Sequence, residues 1–213
     1  VSFAEQPIVV AQGQLTAGYD FIADSASARD GDGRDANPND EGDWMGGAGV
    51  NSYHGSHIAG IVGARTDNNR GVAGVVWTTR IMPLRALGVG GGTDFDVGEA
   101  VRYAAGLPNI TGLLPTQAAR VINLSVTGGA GNPPSNTIQS AIEDAAAANA
   151  LIVAAAGNDG SMLPSYPAAF SEVIGVGAVD LSYRRAWYSN YGSWISVVAP
   201  GGNLGADVNG DGW

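Results

Sequence analysis

The stretch from Thr137 to Ala156 reads TIQSAIEDAAAANALIVAAA, and it decides the fold class. Its first part, Thr137 to Ala148, carries apolar residues at the spacing of an amphipathic helix, with Asn136 as the predicted N-cap. The run from Leu151 to Ala156 is continuously apolar, which is typical of a strand that is covered on both faces. A helix that leads directly into such a strand predicts an α/β fold with a parallel sheet.

The same alternation of helices and strands runs along the chain from about Arg80 onward. Phe95 to Ala105 is a second predicted helix, and Thr93 is its predicted cap. The predicted strands are Ile81 to Leu87, Val121 to Val126, Leu151 to Ala156, Val173 to Val179 and Trp194 to Val198. We therefore predict a three-layer α/β/α fold with a mainly parallel central sheet. Residues 1–213 are expected to form a single domain, because two ordinary domains would need a longer chain.

The composition excludes several classes of function. Acidic residues outnumber basic ones 20 to 10, the net charge is −10 and there is no lysine, so we expect no nucleic-acid partner. The absence of cysteine excludes a thiol nucleophile, a disulfide framework and a cysteine metal site. No apolar run approaches the roughly 18 residues of a transmembrane helix, so no membrane partner is expected. Any targeting segment is expected to lie upstream.

Two histidines lie in the segment Asn51 to Ala64, which reads NSYHGSHIAGIVGA. The small and apolar residues after His54 predict a helix buried in the core, with His54 at its N-terminal end and His57 one turn further in, facing packed protein. A histidine with a pKa near neutrality can exchange protons during a reaction. From composition alone, a core histidine without a catalytic role is the commoner explanation for either residue. Zinc is disfavoured, since no third histidine and no nearby glutamate completes a zinc-protease site.

Two further segments end apolar strands in glycine turns. Val121 to Gly129 reads VINLSVTGG, and its glycines can offer exposed backbone to an extended peptide. Ala154 to Asp159 reads AAAGND, so that a strand delivers the carboxamide of Asn158 to its end. Taken alone, a buried strand and a turn asparagine would explain both segments.

Together these segments resemble the subtilisin-like serine proteases. The pattern from His54 to Gly60, HGSHIAG, resembles the histidine motif of that family. Further matches follow in the same order and spacing, at Tyr166 to Phe170, Val173 to Asp180, Tyr188 to Gly192 and Val198 to Gly201. The resemblance implies a cis peptide bond before Pro167, which is chemically reasonable because proline lowers the cost of the cis form.

The resemblance implies a role for each matching residue. His54 is the general base and His57 is structural, while Asn158 donates a hydrogen bond to the oxyanion. The implied substrate-binding residues are Gly90, Gly91, Gly92, Ser125, Val126, Thr127, Gly128, Ala155 and Gly157. The family further implies a secreted, extracellular serine endopeptidase that cuts protein or peptide substrates, carries an upstream pro-peptide and is expected to be a monomer.

The catalytic triad of the family needs an aspartate, a histidine and a serine, and on this interpretation residues 1–213 contain only the histidine. The resemblance places the aspartate motif just before Val1 and the serine motif beyond Trp213, so the predicted fold is incomplete at both ends. Ser161 is a poor nucleophile candidate, because it follows Asn158 too closely and Pro164 would break a following helix. Two alternatives stay open: a catalytically inactive subtilisin-like binding module, and a cytoplasmic member of the family.

Two acidic segments predict structural calcium, because carboxylate and carbonyl oxygens are the ligands that calcium prefers. The candidate ligands in the first segment are Asp30, Asp32, Asp35, Asp40 and Asp43. In the second, Asp207, Asn209 and Asp211 match the first half of an EF-hand calcium loop. A solvated acidic loop and an ordinary turn are the respective alternatives.

Overall fold

The structure is a computed structural model that describes residues 15–43, 51–69 and 71–202. The chain divides into two compact units, Val1–Ala118 and Ala119–Trp213, and each is described by itself. That the chain forms a single domain therefore stays a prediction.

The described residues of the first unit form a short parallel pair of strands and three helices. Its strands are β1 (Tyr19–Asp20) and β2 (Leu84–Arg85), with Tyr19 opposite Leu84. Its helices are α1 (Ser25–Ala28), α2 (His54–Gly63) and α3 (Asp94–Ala104). The core of the unit is a cluster of Phe21, Ala100 and Tyr103, against which Tyr19, Met82, Leu84 and Ala86 pack.

Strand β2 is shorter than the predicted Ile81 to Leu87. Ile81 forms only an isolated bridge with Leu15, and two residues separate it from β2. One of these is Pro83, which has no N–H to donate to a ladder. The proline interrupts an apolar run that otherwise has the composition of one continuous strand.

In the part of the second unit that the structure describes, four strands form a parallel sheet. Its strands are β3 (Val121–Leu124), β4 (Leu151–Ala155), β5 (Val173–Val179) and β6 (Val197–Pro200), and they lie side by side in chain order. Helix α4 (Asn136–Ala147) connects β3 to β4, as parallel neighbours require a crossover. It buries Ala141, Ile142 and Ala145, and it packs on β4, where Ile152 and Ala154 are buried.

Most of the predicted strands of the second unit are confirmed. Strand β5 has the predicted bounds, and β3 and β4 end slightly earlier than predicted. Strand β6 begins later than the predicted Trp194, because the chain still turns there: Ile195 N donates to Gly192 O at 3.2 Å. All four residues of β6 are exposed in the structure.

One predicted helix cap is confirmed and the other is wrong. The Oγ1 of Thr93 accepts a hydrogen bond from Asp96 N at 3.0 Å and caps α3 as predicted. The cap of α4 is Ser135, whose Oγ accepts from Ile138 N at 3.4 Å, and Asn136 is the first residue of the helix. Serine and asparagine are equally good caps, so composition alone could not choose between these neighbours.

The prediction that α2 is buried in the core is also wrong for the described residues. His54 begins the helix as predicted, but His57 is exposed, and so are Ile61 (50%) and Val62 (36%). The buried residues of α2 are glycines, which allow close approach on one side of the helix only. Across the described ranges, no helix has the length and apolarity that crossing a membrane requires.

Candidate active site

Asn158 lies just beyond the carboxyl end of β4, where the chain turns sharply. Gly157 makes this turn with a φ of +99°, a conformation that favours glycine. Ala155 is exposed and Gly157 is buried, while Asn158 is exposed. The side chain of Asn158 has no hydrogen-bond partner among the described residues, so its carboxamide is available to a ligand.

The segment Ser125 to Gly128 leaves the carboxyl end of the neighbouring strand β3. Leu124 is opposite Ala154 in the parallel ladder, so β3 and β4 end at the same edge of the sheet. A Cβ atom on Gly157 would lie 3.4 Å from Thr127 Oγ1. The structure thus brings the predicted substrate-binding segment Ser125 to Gly128 next to the turn that contains Asn158. Both lie at the carboxyl edge of the sheet, where α/β proteins bind ligands.

Local hydrogen bonds fix the predicted substrate-binding segment, Ser125 to Gly128. The hydroxyls of Thr127 and Ser165 are hydrogen-bonded, and Gly128 N donates to Tyr166 O at 2.9 Å. Ser125 Oγ accepts from Asn123 Nδ2 at 2.8 Å. Val126 and Ser125 are half-buried, whereas Thr127 and Gly128 are exposed. The predicted cis peptide bond between Tyr166 and Pro167 is confirmed.

A buried asparagine supports the Asn158 turn, and the sequence analysis assigned it no role. The Nδ2 of Asn190 donates to Ala156 O at 2.9 Å and to Asp159 Oδ2 at 3.2 Å. Its Oδ1 accepts from Asp159 N at 2.9 Å and from Ser161 N at 3.0 Å. An asparagine among polar and aromatic residues has the pattern of a surface turn, so local sequence carried no signal of this burial.

Ser161 has the environment of a turn residue. Its Oγ accepts from Leu163 N at 3.1 Å, and its backbone oxygen accepts from Tyr191 N at 2.9 Å. No helix begins after it before β5 in this described stretch. This geometry agrees with its exclusion as the nucleophile.

His54 belongs to the first unit, where it is exposed at the start of α2. Its backbone N donates to Ser52 Oγ at 3.3 Å. Ser52 in turn donates from N to Asp43 Oδ1 at 2.7 Å and from Oγ to Asp43 Oδ2 at 2.5 Å. These two donors lower the pKa of Asp43 below its ordinary value of 3.8, because they stabilise the charged carboxylate. Asp43, predicted as a calcium ligand, is therefore linked to the start of α2 at His54 through Ser52.

The glycine loop Gly88 to Gly92 follows β2 in the same unit. Gly88 N donates to Gly91 O at 2.9 Å and Gly91 N donates to Gly88 O at 3.1 Å, which closes a tight turn. Gly90 and Gly91 have φ values of +82° and +109°. A Cβ on Gly92 would lie 2.2 Å from Ala86 O. Turn geometry and backbone packing thus account for these three glycines, and their contact with substrate stays a prediction.

The acidic segment that was predicted to bind calcium uses its carboxylates for other contacts. Asp35 Oδ1 accepts from Asn37 N at 2.8 Å, and Asp40 Oδ1 accepts from Gly42 N at 2.8 Å. Asp30 accepts from the guanidinium of Arg85 at 2.9 Å. Asp32 is exposed.

Among the residues that the structure describes, no three acidic or histidine side chains come together in a way that could hold a metal ion. Calcium binding by the first segment therefore stays a prediction. The second set of predicted ligands, Asp207, Asn209 and Asp211, lies outside the described residues.

Comparisons with known proteins agree with the geometry. The model of the subtilase family, Peptidase S8, matches residues 12–212. The chain is 43% identical over 206 residues to the "Extracellular protease" of Xanthomonas campestris pv. campestris, which covers 92% of this chain and 35% of that protein. It is 33% identical over 190 residues to "Thermitase" of Thermoactinomyces vulgaris, covering 89% of this chain and 56% of that protein. A solved structure of proteases from Pseudoalteromonas arctica superposes with a TM-score of 0.83 at 38% identity, covering 90% of this chain and 58% of that one.

The chain therefore belongs to the subtilase family, and its predicted α/β fold class is confirmed. It spans about a third of the length of two of its curated relatives, 35% and 34%.

Proposed function

We propose that the protein containing this chain is a serine endopeptidase that hydrolyses peptide bonds in proteins. The observation that carries the proposal is the exposed Asn158, whose carboxamide has no partner among the described residues and stands at the carboxyl edge of the parallel sheet. Membership of the subtilase family and relatives that are named proteases support it.

In the proposed reaction, the neutral imidazole of His54 takes the proton of a serine hydroxyl as that oxygen attacks the substrate carbonyl. The carbonyl carbon becomes tetrahedral, and its oxygen gains a negative charge that the Nδ2 of Asn158 stabilises by donating a hydrogen bond. The imidazolium then protonates the leaving amine, and water hydrolyses the acyl-enzyme with His54 again as the base. The serine and the triad aspartate are expected outside residues 1–213, as the resemblance implies.

The proposed substrates are extended segments of proteins. Thr127 and Gly128 are exposed and continue from β3, which is an edge strand of the described sheet. Backbone at such an edge can pair with an extended peptide without reading its side chains, so we propose broad specificity. We also propose that Gly88 to Gly92 contacts substrate, as the resemblance implies.

We further propose that the protein is extracellular and is made with an upstream pro-peptide. The names of two relatives support the location, "Extracellular protease" and "Extracellular basic protease" of Dichelobacter nodosus. Proteolytic activity in the culture medium of the source cells, with little in washed lysate, is the expected result. Activity confined to the lysate would favour the cytoplasmic alternative.

We propose calcium binding for the segment with Asp207, Asn209 and Asp211, because the carboxylates of Asp35 and Asp40 in the first segment accept backbone hydrogen bonds. A metal bound only by the folded state raises the melting temperature, so a chelator is expected to lower it. Asp207→Asn should abolish this shift, whereas Asp35→Asn should retain it. Equal shifts in both variants would contradict the assignment.

The activity is tested by casein cleavage with the full-length natural protein and a serine-directed inhibitor. His54→Ala should reduce kcat by several orders of magnitude, whereas His57→Gln, one turn along the same helix, should remain active. Asn158→Ala should reduce kcat by about 10²–10³, and Asn136→Ala, at the first residue of α4, serves as its control. Peptide binding without any cleavage would instead support the inactive binding module.

A further inference from the structure

We propose that Asn190 is a positioning residue for this reaction, and that its buried carboxamide holds the turn from Ala156 to Ser161 so that Asn158 points toward the oxyanion. The inference rests on the function proposed for Asn158. Asn190 itself does not contact substrate in this proposal, since it is only 1% exposed.

Asn190 contacts residues that precede and residues that follow Asn158 in the sequence. Before it, Asn190 Nδ2 donates to Ala156 O at 2.9 Å, and the backbone N of Asn190 donates to Gly157 O at 3.1 Å. After it, Asn190 Oδ1 accepts from Asp159 N at 2.9 Å and from Ser161 N at 3.0 Å. The carboxamide between these contacts, that of Asn158, has no such partner among the described residues.

The Asn190 side chain has no spare hydrogen-bonding capacity. A carboxamide offers two donor hydrogens and two acceptor lone pairs, and the four side-chain contacts of Asn190 use all of them. No other orientation of this amide satisfies the same neighbours, because exchanging Oδ1 and Nδ2 would face donors with donors. The backbone of the turn is therefore held in one conformation.

Asn190 is itself anchored to the sheet. The neighbouring Ser189 is buried, and its Oγ accepts from Ala178 N of β5 at 2.9 Å and donates to the backbone oxygen of Asn190 at 3.0 Å. Arg185 Nη1 donates to Ser189 O at 2.7 Å. The turn that presents Asn158 is thus tied to β5 as well as to its own strand β4, and a rigid strand is a precise support for a reacting group.

Asp159 extends the same network to the loop that follows the proposed substrate-binding segment Ser125 to Gly128. Its Oδ2 accepts from Asn190 Nδ2 at 3.2 Å and from Ala130 N at 3.1 Å. Replacing Asn190 with aspartate would keep the shape of the side chain but face this carboxylate with another. Asn190→Asp is therefore a nearly isosteric change that removes the donors at their two acceptors.

The experiment measures kcat and KM in the full-length protein for Asn190→Asp, Asn190→Ser and each of these combined with Asn158→Ala. The single Asn190 variants should lower kcat by about tenfold or more, with KM changed by less than about threefold, because misplacing a group that acts only in the transition state affects kcat. In the Asn158→Ala background the same changes should alter kcat by less than about threefold, since the group that Asn190 positions is already gone.

Ile152→Val is the control for a purely structural effect, because Ile152 is fully buried in β4 and makes none of these contacts. It should lower the melting temperature without lowering kcat. Unchanged kcat in both Asn190 variants, or losses that simply multiply with that of Asn158→Ala, would overturn the positioning role. If Asn158→Ala itself keeps full kcat, the proposed oxyanion function fails first, which separates the two conclusions.

Discussion

Arg85 donates from Nη1 to Asp20 Oδ2 at 2.5 Å, and the two side chains are only 5% and 0% exposed. The same nitrogen donates to Asp30 Oδ2 at 2.9 Å, and Nη2 donates to Ala28 O at the end of α1. One guanidinium therefore balances two buried carboxylates and joins β1, β2 and α1. The glycine loop contacts the same helix, because Val89 N donates to Ser27 O of α1 at 3.0 Å.

Removing the guanidinium should destabilise the protein strongly. Arg85→Met would leave Asp20 and Asp30 buried without a cation, and breaking a buried ion pair costs about 3–5 kcal/mol. Urea unfolding followed by circular dichroism measures this loss. Arg65→Ala, at an exposed arginine of the same unit, should change the free energy of unfolding by less than about 0.5 kcal/mol. Similar losses in both variants would contradict a special role for the buried cluster.

The stability of the protein should carry a pH dependence that comes from Asp20. Burial raises the pKa of Asp20 above 3.8, and this effect outweighs the hydrogen bonds from Ile22 N and Arg85, which lower it. The folded state then binds the proton more tightly than the unfolded state, so the contribution of this group falls as pH rises from 3.8 through the raised value.

Asp20→Asn removes this titration, so the unfolding free energy of the natural protein minus that of the variant should decrease across that pH range. Urea unfolding at a series of pH values measures the difference. A difference that increases with pH would mean that Asp20 is stabilised as a carboxylate instead.

Asp43 should behave in the opposite way. Donation from the hydroxyl and the N–H of Ser52 lowers the pKa of Asp43 below 3.8, so its stabilising contribution is present above 3.8 and is lost as pH falls through the lowered value. A carbon-detected NMR titration of the Asp43 carboxyl should give a midpoint below 3.8. Ser52→Ala should move the midpoint upward, and Ser56→Ala, an exposed serine on α2, should leave it in place. An Asp43 midpoint that is the same in Ser52→Ala as in the natural protein would contradict the contact.

The turn before Asn158 should not accept a side chain at Gly157. Alanine there would adopt a φ of +99°, and its Cβ would lie 2.5 Å from Asn190 Nδ2. Gly157→Ala should therefore lower the free energy of unfolding by about 1–3 kcal/mol. Gly55→Ala is the matched control: Gly55 lies inside α2, and a Cβ there would meet nothing within 4 Å. It should be neutral or stabilise by up to about 1 kcal/mol. A neutral Gly157→Ala would show that the turn can relax.

Sequence reasoning succeeded where the deciding pattern is local. The apolar run of β5 and the short run of β4 predict strands directly, because apolar runs of this length that are bounded by turn residues are typical of strands. The glycine after β4 and the asparagine beyond it likewise appear in the sequence as a strand that ends in a turn. Thr93 was identified as a cap because a threonine stands directly before a helical pattern.

The remaining features depend on contacts between residues far apart in the sequence. Asn190 meets Asp159 across 31 positions, and Arg85 meets Asp20 across 65. Neither separation corresponds to the periodicity of a helix or a strand, so no rule based on neighbouring residues identifies either partner. Asp30 shows the consequence: its acidic neighbours make it a candidate calcium ligand, and in the structure its carboxylate accepts a hydrogen bond from Arg85 of β2. The prediction that α2 is buried was wrong for the same reason, because the packing partners of a helix decide which of its faces is covered.

The N-cap of α4 is a feature that local sequence did not identify, and it can be tested directly. Ser135 has the extended backbone of an N-cap, φ −83° and ψ 118°, and its Oγ accepts from Ile138 N, whereas Asn136 is already helical. Ser135→Ala should therefore lower the free energy of unfolding by about 0.5–1 kcal/mol. Asn136→Ala should be neutral or slightly stabilising, because alanine has the higher helix propensity. Thermal and urea unfolding of the two variants measures both effects. A larger loss of stability in Asn136→Ala than in Ser135→Ala would instead identify Asn136 as the cap, as the sequence analysis predicted.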